Sequence, residues 1–308
     1  MKLPRLLCWI AVLVLGFNLS RAALPEEVEE VVSGVYFHEG EWALGHSNNG
    51  WVEFEDFVLV IDANYPSGAR LVLPKIKAMT DKPIKVVFDT HHHPDHAYGN
   101  RVWADAGALL VAQVGASETM KKAEPAGWNG RAAQRPGMRN TSLKFPQILF
   151  GEELLFEDAE ATVELRWFGA GHTPGDGFAW LPEHKILFTG DSIVNGPFNY
   201  MGDAHIGAWI ETLEKVKALG AEIVCPGHGA VGGAELIAGQ QAYLIALRSA
   251  VQALRDSGAT PTAAKAAVPG LMADLKANAE ISNWVGQGMF PGQVERVWRE
   301  LGGAAFPR

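Results

Sequence analysis

Cysteine is almost missing from this chain: 308 residues contain two, Cys8 and Cys225. A disulfide scaffold needs several pairs and structural zinc sites lean on Cys, so neither organises this fold. Basic charge is short as well, 26 Lys and Arg against 35 Asp and Glu, for a net charge of −9. That balance argues against nucleic acid as a partner. No period of about 20 to 50 residues repeats and there is no low-complexity tract, which excludes repeat architectures and biased linkers.

A long apolar run is lacking too. Residues 6–17 form an apolar stretch of about a dozen residues, short of the ~20 that a bilayer span requires. Lys2 and Arg5 precede it and Ser20-Arg21-Ala22 follows. This three-part design is that of a secretory signal peptide, residues 1–22, cut before Ala23. A retained anchor is the competing reading, and the short run weighs against it. The mature chain, residues 23–308, would keep only Cys225 and so form no intrachain disulfide. Losing Lys2, Arg5 and Arg21 would also take its net charge from −9 to −12. The expected location is outside the cytoplasm, in a bacterial periplasm, with no stable membrane insertion.

What is abundant is histidine in one place. The run Thr90-His91-His92-His93-Pro94-Asp95-His96 sets five potential metal ligands within six residues, directly after the apolar, β-branched stretch 84–88. That pattern reads as a metal site at the end of a buried strand. In an extended segment His91 and His93 point the same way, toward one ion. Asp95 and His96 fall past the strand, where a turn can face them to a second. Imidazole and carboxylate both suit zinc. The alternatives are a polar loop that happens to be rich in His, or a structural zinc site, which the lack of Cys disfavours.

Three further strand-like runs each end in a turn carrying His or Asp. Residues 165–168 lead into Gly171-His172-Thr173-Pro174-Gly175, residues 186–189 into Gly190-Asp191-Ser192, and residues 223–225 into Pro226-Gly227-His228-Gly229. Small residues beside each candidate let backbone approach a bound ion or substrate closely. Singly these are ordinary turns; their order together is specific.

The set H-x-H-x-D-H at 91–96, G-H-T-x-G at 171–175, G-D at 190–191 and G-H-G at 227–229 resembles the metallo-β-lactamase fold superfamily, over roughly residues 31–233. The resemblance implies two zinc ions, with His91, His93 and His172 on one, Asp95, His96 and His228 on the other, and Asp191 bridging them. It also implies a dinuclear zinc hydrolase in which a metal-bound hydroxide attacks an acyl bond. Zinc β-lactamases in the strict sense usually carry Cys or Ser where this chain has Asp191. Thioesterases of the glyoxalase II kind and lactonases resemble it in having Asp there. A β-lactam, a lactone and a thioester therefore all stay open as substrates. Persulfide dioxygenases share much of the pattern but use a single iron. That enzyme class, and a non-catalytic metal- or ligand-binding module, are the alternatives.

Other side chains are candidates by position. Asp95 is placed to orient the nucleophile and carry its proton to the leaving group. Tyr200, in the segment after Asp191, is a candidate donor to the developing oxyanion. Trp42 lies in a segment between two early strands that, by resemblance, can fold over substrate. Residues 121–146 hold Lys121, Lys122, Arg131, Arg135, Arg139 and Lys144 against Glu124 alone. Rich in Gly, Pro and Asn, they read as a long basic loop inserted in the fold. Arg131, Arg135 and Arg139 are its candidates for contact with an anionic small-molecule substrate.

With 48% apolar and 20% charged residues, the chain suits one large α/β domain. Strands are expected at residues 35–37, 50–54, 57–62, 84–89 and 222–225, and helices at 68–80, 208–219, 240–255 and 291–301. Pro74 lies inside the first helix, where a kink or late start is expected. Alternating strands and helices, with ligands from both halves, suggest two β-sheets face to face with helices outside, a four-layer αββα sandwich. Beyond Gly233 the pattern is helical only, which makes residues 234–308 a C-terminal helical extension.

Overall fold

The computed structural model describes residues 27–132 and 134–307. The expected signal peptide lies outside the described residues.

The stretch that leads to the His run becomes β5 (Ile84–Asp89), an inner strand of a seven-stranded sheet. Its neighbours in space follow the order of the chain: β1 (Val28–Val32), β2 (Val35–His38), β3 (Asn49–Glu53), β4 (Val58–Ile61), β5, β6 (Leu109–Gln113) and β7 (Ile148–Phe150). β1 to β4 are antiparallel, whereas β4 to β7 run parallel. Covered on both faces, the inner parallel strands are apolar almost throughout, as Val-Leu-Val-Ile at 58–61 shows. The second sheet has five strands: β8 (Glu153–Glu157), β9 (Thr162–Trp167), β10 (Gly177–Leu181), β11 (Ile186–Phe188) and β12 (Ile223–Cys225). These pair antiparallel except β11 with β12.

Three apolar layers hold the sandwich together. Phe37, Phe54, Ile61, Phe88, Leu165, Phe188 and Cys225 fill the space between the sheets. On the outer face of the larger sheet, Val60, Val87 and Trp51 meet Val72 and Ile76 of α1 (Pro66–Met79) and Trp103 of α3 (Asn100–Asp105). The short α2 (Pro94–Ala97) carries Asp95 and His96. Over the smaller sheet lie α5 (Ile206–Lys217), α6 (Glu235–Asp256), α7 (Pro261–Ala277) and α8 (Phe290–Glu300), sharing one core with β10 and β11 through Trp209, Leu213, Leu244, Leu247, Val268 and Trp298. The extension is thus part of the fourth layer. The expected αββα arrangement is the one observed.

Pro74 is accommodated inside α1, which begins at Pro66, where a ring at the first helical position costs no hydrogen bond. The basic loop expected at 121–146 is corrected in its first half. Residues 121–132 are the end of α4 (Val114–Ala132), which accommodates Pro125. The reason is a buried stripe at helical spacing, Ala116, Met120, Glu124 and Trp128. A charged residue in that stripe hides it from an apolar count. Residues 134–147 are irregular apart from one 3₁₀ turn, Pro136–Met138.

Candidate metal centre

Parallel pairing gathers the candidate ligands. β4 and β5 end together, as do β11 and β12, so Asp62, the 90–96 run, Asp191 and His228 leave the sandwich at one edge. The turn from β9 to β10 adds His172 there, because β10 begins where β11 ends. Glycine permits the crowding: a Cβ on Gly227 would stand 2.8 Å from the Asp191 amide nitrogen.

Three imidazoles converge first. His91 Nε2 and His172 Nε2 lie 3.1 and 2.9 Å from His93 Nδ1. Two nitrogens bound tetrahedrally to one zinc at about 2.0 to 2.1 Å stand roughly 3.3 Å apart, so this spacing suits a shared ion. Burial, reinforced by the neighbouring imidazoles, holds His91 well below the ordinary histidine range. Burial and His93 bring His172 down to about 3, against the pull of Asp191. Both rings are thereby neutral at physiological pH, the form a ligand needs.

The second group is richer in carboxylate. His228 Nε2 is 3.2 Å from Asp95 Oδ2, and His96 Nε2 is 3.8 Å from the same oxygen. Asp191 stands between the groups. Its Oδ2 is 3.7 Å from His172 Nε2, while its Oδ1 is 3.2 Å from His96 Nε2 and 3.6 Å from His228 Nε2. Burial opposes charge on Asp95 and on Asp191. In each case the facing histidines outweigh it, His96 and His228 holding Asp95 at about 2, and His228 and His96 holding Asp191 far below the carboxylate range. Burial likewise opposes charge on His96, yet Asp191, Asp62 and Asp95 raise it well above normal. So much negative charge around one imidazole favours a cation among them. His96 Nε2 and Asp191 Oδ1 are buried with no hydrogen-bond partner, as ligand atoms would be. Two groups of ligand atoms are therefore each close enough to hold a cation, His91, His93, His172 and Asp191 in one and Asp95, His96 and His228 in the other, with Asp191 Oδ1 facing the second.

Two carboxylates that sequence reasoning missed set the rings. Asp62 Oδ2 accepts from His96 Nδ1 at 2.8 Å, while its Oδ1 accepts from the Thr90 amide and hydroxyl, both at 2.8 Å. The backbone there is left-handed, with φ of 65°, which Asp tolerates better than most residues. Asp203 Oδ2 lies 3.0 Å from His93 Nε2, leaving Nδ1 for the centre. His92 Nε2 is 4.0 Å from the same carboxylate. Asp62 had a signal in the sequence, a lone acid closing an apolar strand; Asp203 had none. Behind the ligand turns, Asn48 Nδ2 donates to the carbonyls of Pro226 and Gly229, and Ser47 Oγ donates to that of Asp95.

A groove of about 260 Å³ opens over the centre, lined by Asp95, Asp191 and His228 and walled by Trp42, Phe198, Tyr200 and Met289. The Trp42 ring packs on Phe198 with centroids 3.9 Å apart and meets His228 edge-on. Tyr200 meets His93 edge-on at 5.3 Å. Trp42 and Tyr200 thus lie beside the candidate ligands. Of the three arginines, Arg131 alone lines the groove, and its Nη1 donates to Tyr98 Oη at 2.9 Å and to Glu124 Oε2 at 3.3 Å. Arg135 stacks on the Tyr65 ring and donates to the Leu44 carbonyl, which ties the Trp42 segment to the chain after α4. Arg139 is not among the groove-lining residues; its carbonyl accepts from Arg70.

Comparison with known proteins agrees with this geometry. The family model of the metallo-beta-lactamase superfamily matches residues 42–228, more than half of the chain, and the chain belongs to that superfamily. A metallo-beta-lactamase type 2 of Bacteroides fragilis is 35% identical over 104 residues, 32% of this chain and 42% of that protein. A hydroxyacylglutathione hydrolase of Rhodospirillum rubrum is 28% identical over 165 residues, 53% of this chain and 55% of that protein. The chain spans less than two thirds of the length of these two. A metallo-beta-lactamase type 2 of Pseudomonas aeruginosa is 26% identical over 231 residues, 70% of this chain and 83% of that protein. Among solved structures, a metallo-beta-lactamase from Pontibacter korlensis shares the fold with a TM-score of 0.58 at 23% identity, over 71% of this chain and 98% of that one.

Proposed function

We propose that this chain is an exported dinuclear zinc hydrolase that cleaves an acyl bond in a small molecule: a β-lactam, a lactone or a thioester. The observation that carries the reading is Asp191, whose two oxygens face the two ligand groups separately. His91, His93 and His172 would hold one ion, Asp95, His96 and His228 the other, and Asp191 both. Zinc supplies a water of low pKa and polarises the substrate carbonyl.

The protein's own groups do the rest. Asp95, ionised at neutral pH and lining the groove, accepts the proton of the attacking water and returns it to the leaving group. Asp62 and Asp203 hold the His96 and His93 rings in the tautomers that leave Nε2 and Nδ1 facing the centre. Trp42, Phe198 and Tyr200 exclude water from one side of the acyl group, and the Tyr200 hydroxyl serves as donor to the oxyanion. Arg131, partly offset by Glu124, meets an anionic end of the substrate. Relatives named metallo-beta-lactamase and hydroxyacylglutathione hydrolase support acyl-bond cleavage as the reaction class. Export rests on the design of residues 1–22; among the described residues no helix is long and apolar enough to cross a membrane.

The test is hydrolysis of a chromogenic cephalosporin, a lactone and a thioester by zinc-loaded protein, residues 23–308, beside a chelator-treated sample. At least one class is expected to turn over with a chelator-sensitive kcat/KM above ~10⁴ M⁻¹s⁻¹. His93→Ala and Asp191→Ala should each abolish that turnover in protein that remains folded. Activity retained in either, at normal metal content, contradicts the dinuclear assignment.

A further inference from the structure

The helices after Gly233 lie beyond the residues that match the family, yet they reach back to the groove. We propose that α6 and α8 form a rigid frame that positions the groove segment 195–204, and that Met289 at the start of α8 touches substrate and sets acyl-group preference; the substrate part rests on the hydrolase reading.

The frame is a buried polar network. Asn199 stands between the groove residues Phe198 and Tyr200 and is only 1% exposed. Its Oδ1 accepts from Gln240 Nε2 on α6 at 3.0 Å, and its backbone carbonyl accepts from Gln293 Nε2 on α8 at 2.5 Å. Gln293 Oε1 in turn accepts from the Tyr243 hydroxyl on α6. Three hydrogen bonds tie these four buried neutral side chains together and so favour this placement of Asn199, while Asn199 Nδ2 and Gln240 Oε1 are buried without a hydrogen-bond partner. With Asn199 turned inward, its two aromatic neighbours face the groove, Phe198 against Trp42 and Tyr200 against His93.

The connection between α7 and α8, followed by α8 itself, grips the segment and its flanks. Trp284 Nε1 donates to the Val194 carbonyl at 2.8 Å and Asn283 Nδ2 to Asn195 Oδ1 at 3.1 Å. Gly286 lies so close to Pro197 that an added Cβ would stand 2.7 Å from the proline Cβ. Arg296 Nε donates to the Ala204 carbonyl at 2.5 Å, and Glu300 accepts from the amides of Ile206 and Gly207 at 2.7 and 2.8 Å. Asp191 precedes the gripped segment, and Asp203, which holds His93, lies within it. A contact made by the extension is therefore relayed to the candidate metal centre through packed side chains and hydrogen bonds.

Hydrogen exchange on the zinc-loaded mature protein tests the frame. In Gln293→Leu and in Asn199→Ala, peptides covering 195–204 are expected to exchange roughly tenfold faster. Peptides covering 84–100 and the zinc content should stay as in the parent. Gln241→Ala serves as control, because Gln241 is also buried on α6 but bonds to Ile210 and Glu214 of α5. It should leave the 195–204 peptides unchanged. Kinetics test the substrate part: Gln293→Leu should raise KM for a long-chain acyl substrate more than it lowers kcat. Met289→Ala should change the KM ratio between long- and short-chain acyl substrates by at least about fivefold, with exchange at 195–204 as in the parent. Unaltered exchange in both network variants, or equal acceleration in the Gln241 control, would overturn the frame. An equal effect of Met289→Ala on both substrates would overturn its role. A parent protein that turns over no acyl substrate contradicts the hydrolase reading and the role of Met289 with it, and exchange still decides the frame.

Discussion

Asp62 shows how much of the candidate centre depends on residues that bind no ion themselves. Its carboxylate accepts from the Thr90 amide and hydroxyl on one oxygen and from His96 on the other, so one side chain fixes both the start of the His run and a ring within it. Removing it frees the His96 tautomer and leaves the Thr90 amide without its partner. Asp62→Ala is expected to weaken the ion held by Asp95, His96 and His228 by roughly 10- to 100-fold while leaving the His91, His93 and His172 group less affected. Competition titration with a chromophoric chelator measures this directly. Equal weakening of both ions would contradict the division of labour, and no weakening would remove Asp62 from it. Cys225, by contrast, is a buried apolar filler between the sheets: burial pushes its thiol well above the usual range, so it stays protonated.

Strands and helices were legible in the sequence where a single period dominated, and obscure where another requirement interrupted it. β5 was read with the bounds it has, because a mostly β-branched run, broken only by the exposed Lys85, ends in polar residues. α4 was not read at all, its second half being taken for a loop because Pro125, several glycines and the buried Glu124 break the apolar stripe, although Trp128 still anchors it against Tyr98. α7 went unread for a similar reason, since Pro269 and Gly270 fall inside it. Edge strands β1 and β8 each set two glutamates among three apolar residues without the apolar-polar alternation that marks a half-buried strand. The turn after β8 offers a test at this scale. Asp158 accepts from the amides of Glu55, Glu160 and Ala161, joining turns of the two sheets. Slight burial opposes its charge, but those donors outweigh it and hold its pKa below the ordinary 3.8. A lowered folded-state value means the stabilisation is present above the unfolded pKa and is lost as pH falls through the folded one. The melting temperature of Asp158→Ala should therefore lie furthest below the parent's above about pH 5, with the gap closing toward pH 3. A gap of constant size across that range would show that the carboxylate charge plays no part.

At the scale of the whole molecule, function follows from where parallel strands end. The two sheets deliver their ligand turns to one edge, the aromatic groove closes over that edge, and the C-terminal helices brace the groove from the side of the smaller sheet. All seven candidate ligands were readable in sequence, since His and Asp in Gly-bounded turns after strands form a recognisable series. Asp203, Phe198 and Met289 were not, because their place at the centre is set by packing between segments far apart in the chain. The central claim is that this edge holds two ions bridged by Asp191. The most direct measurement is metal stoichiometry by native mass spectrometry and elemental analysis, on protein of residues 23–308 and on its Asp191→Ala variant. Two zinc ions per chain are expected in the parent and fewer in the variant, with the fold retained in both. A single iron in the parent, or two zinc ions held undiminished by the variant, would contradict it.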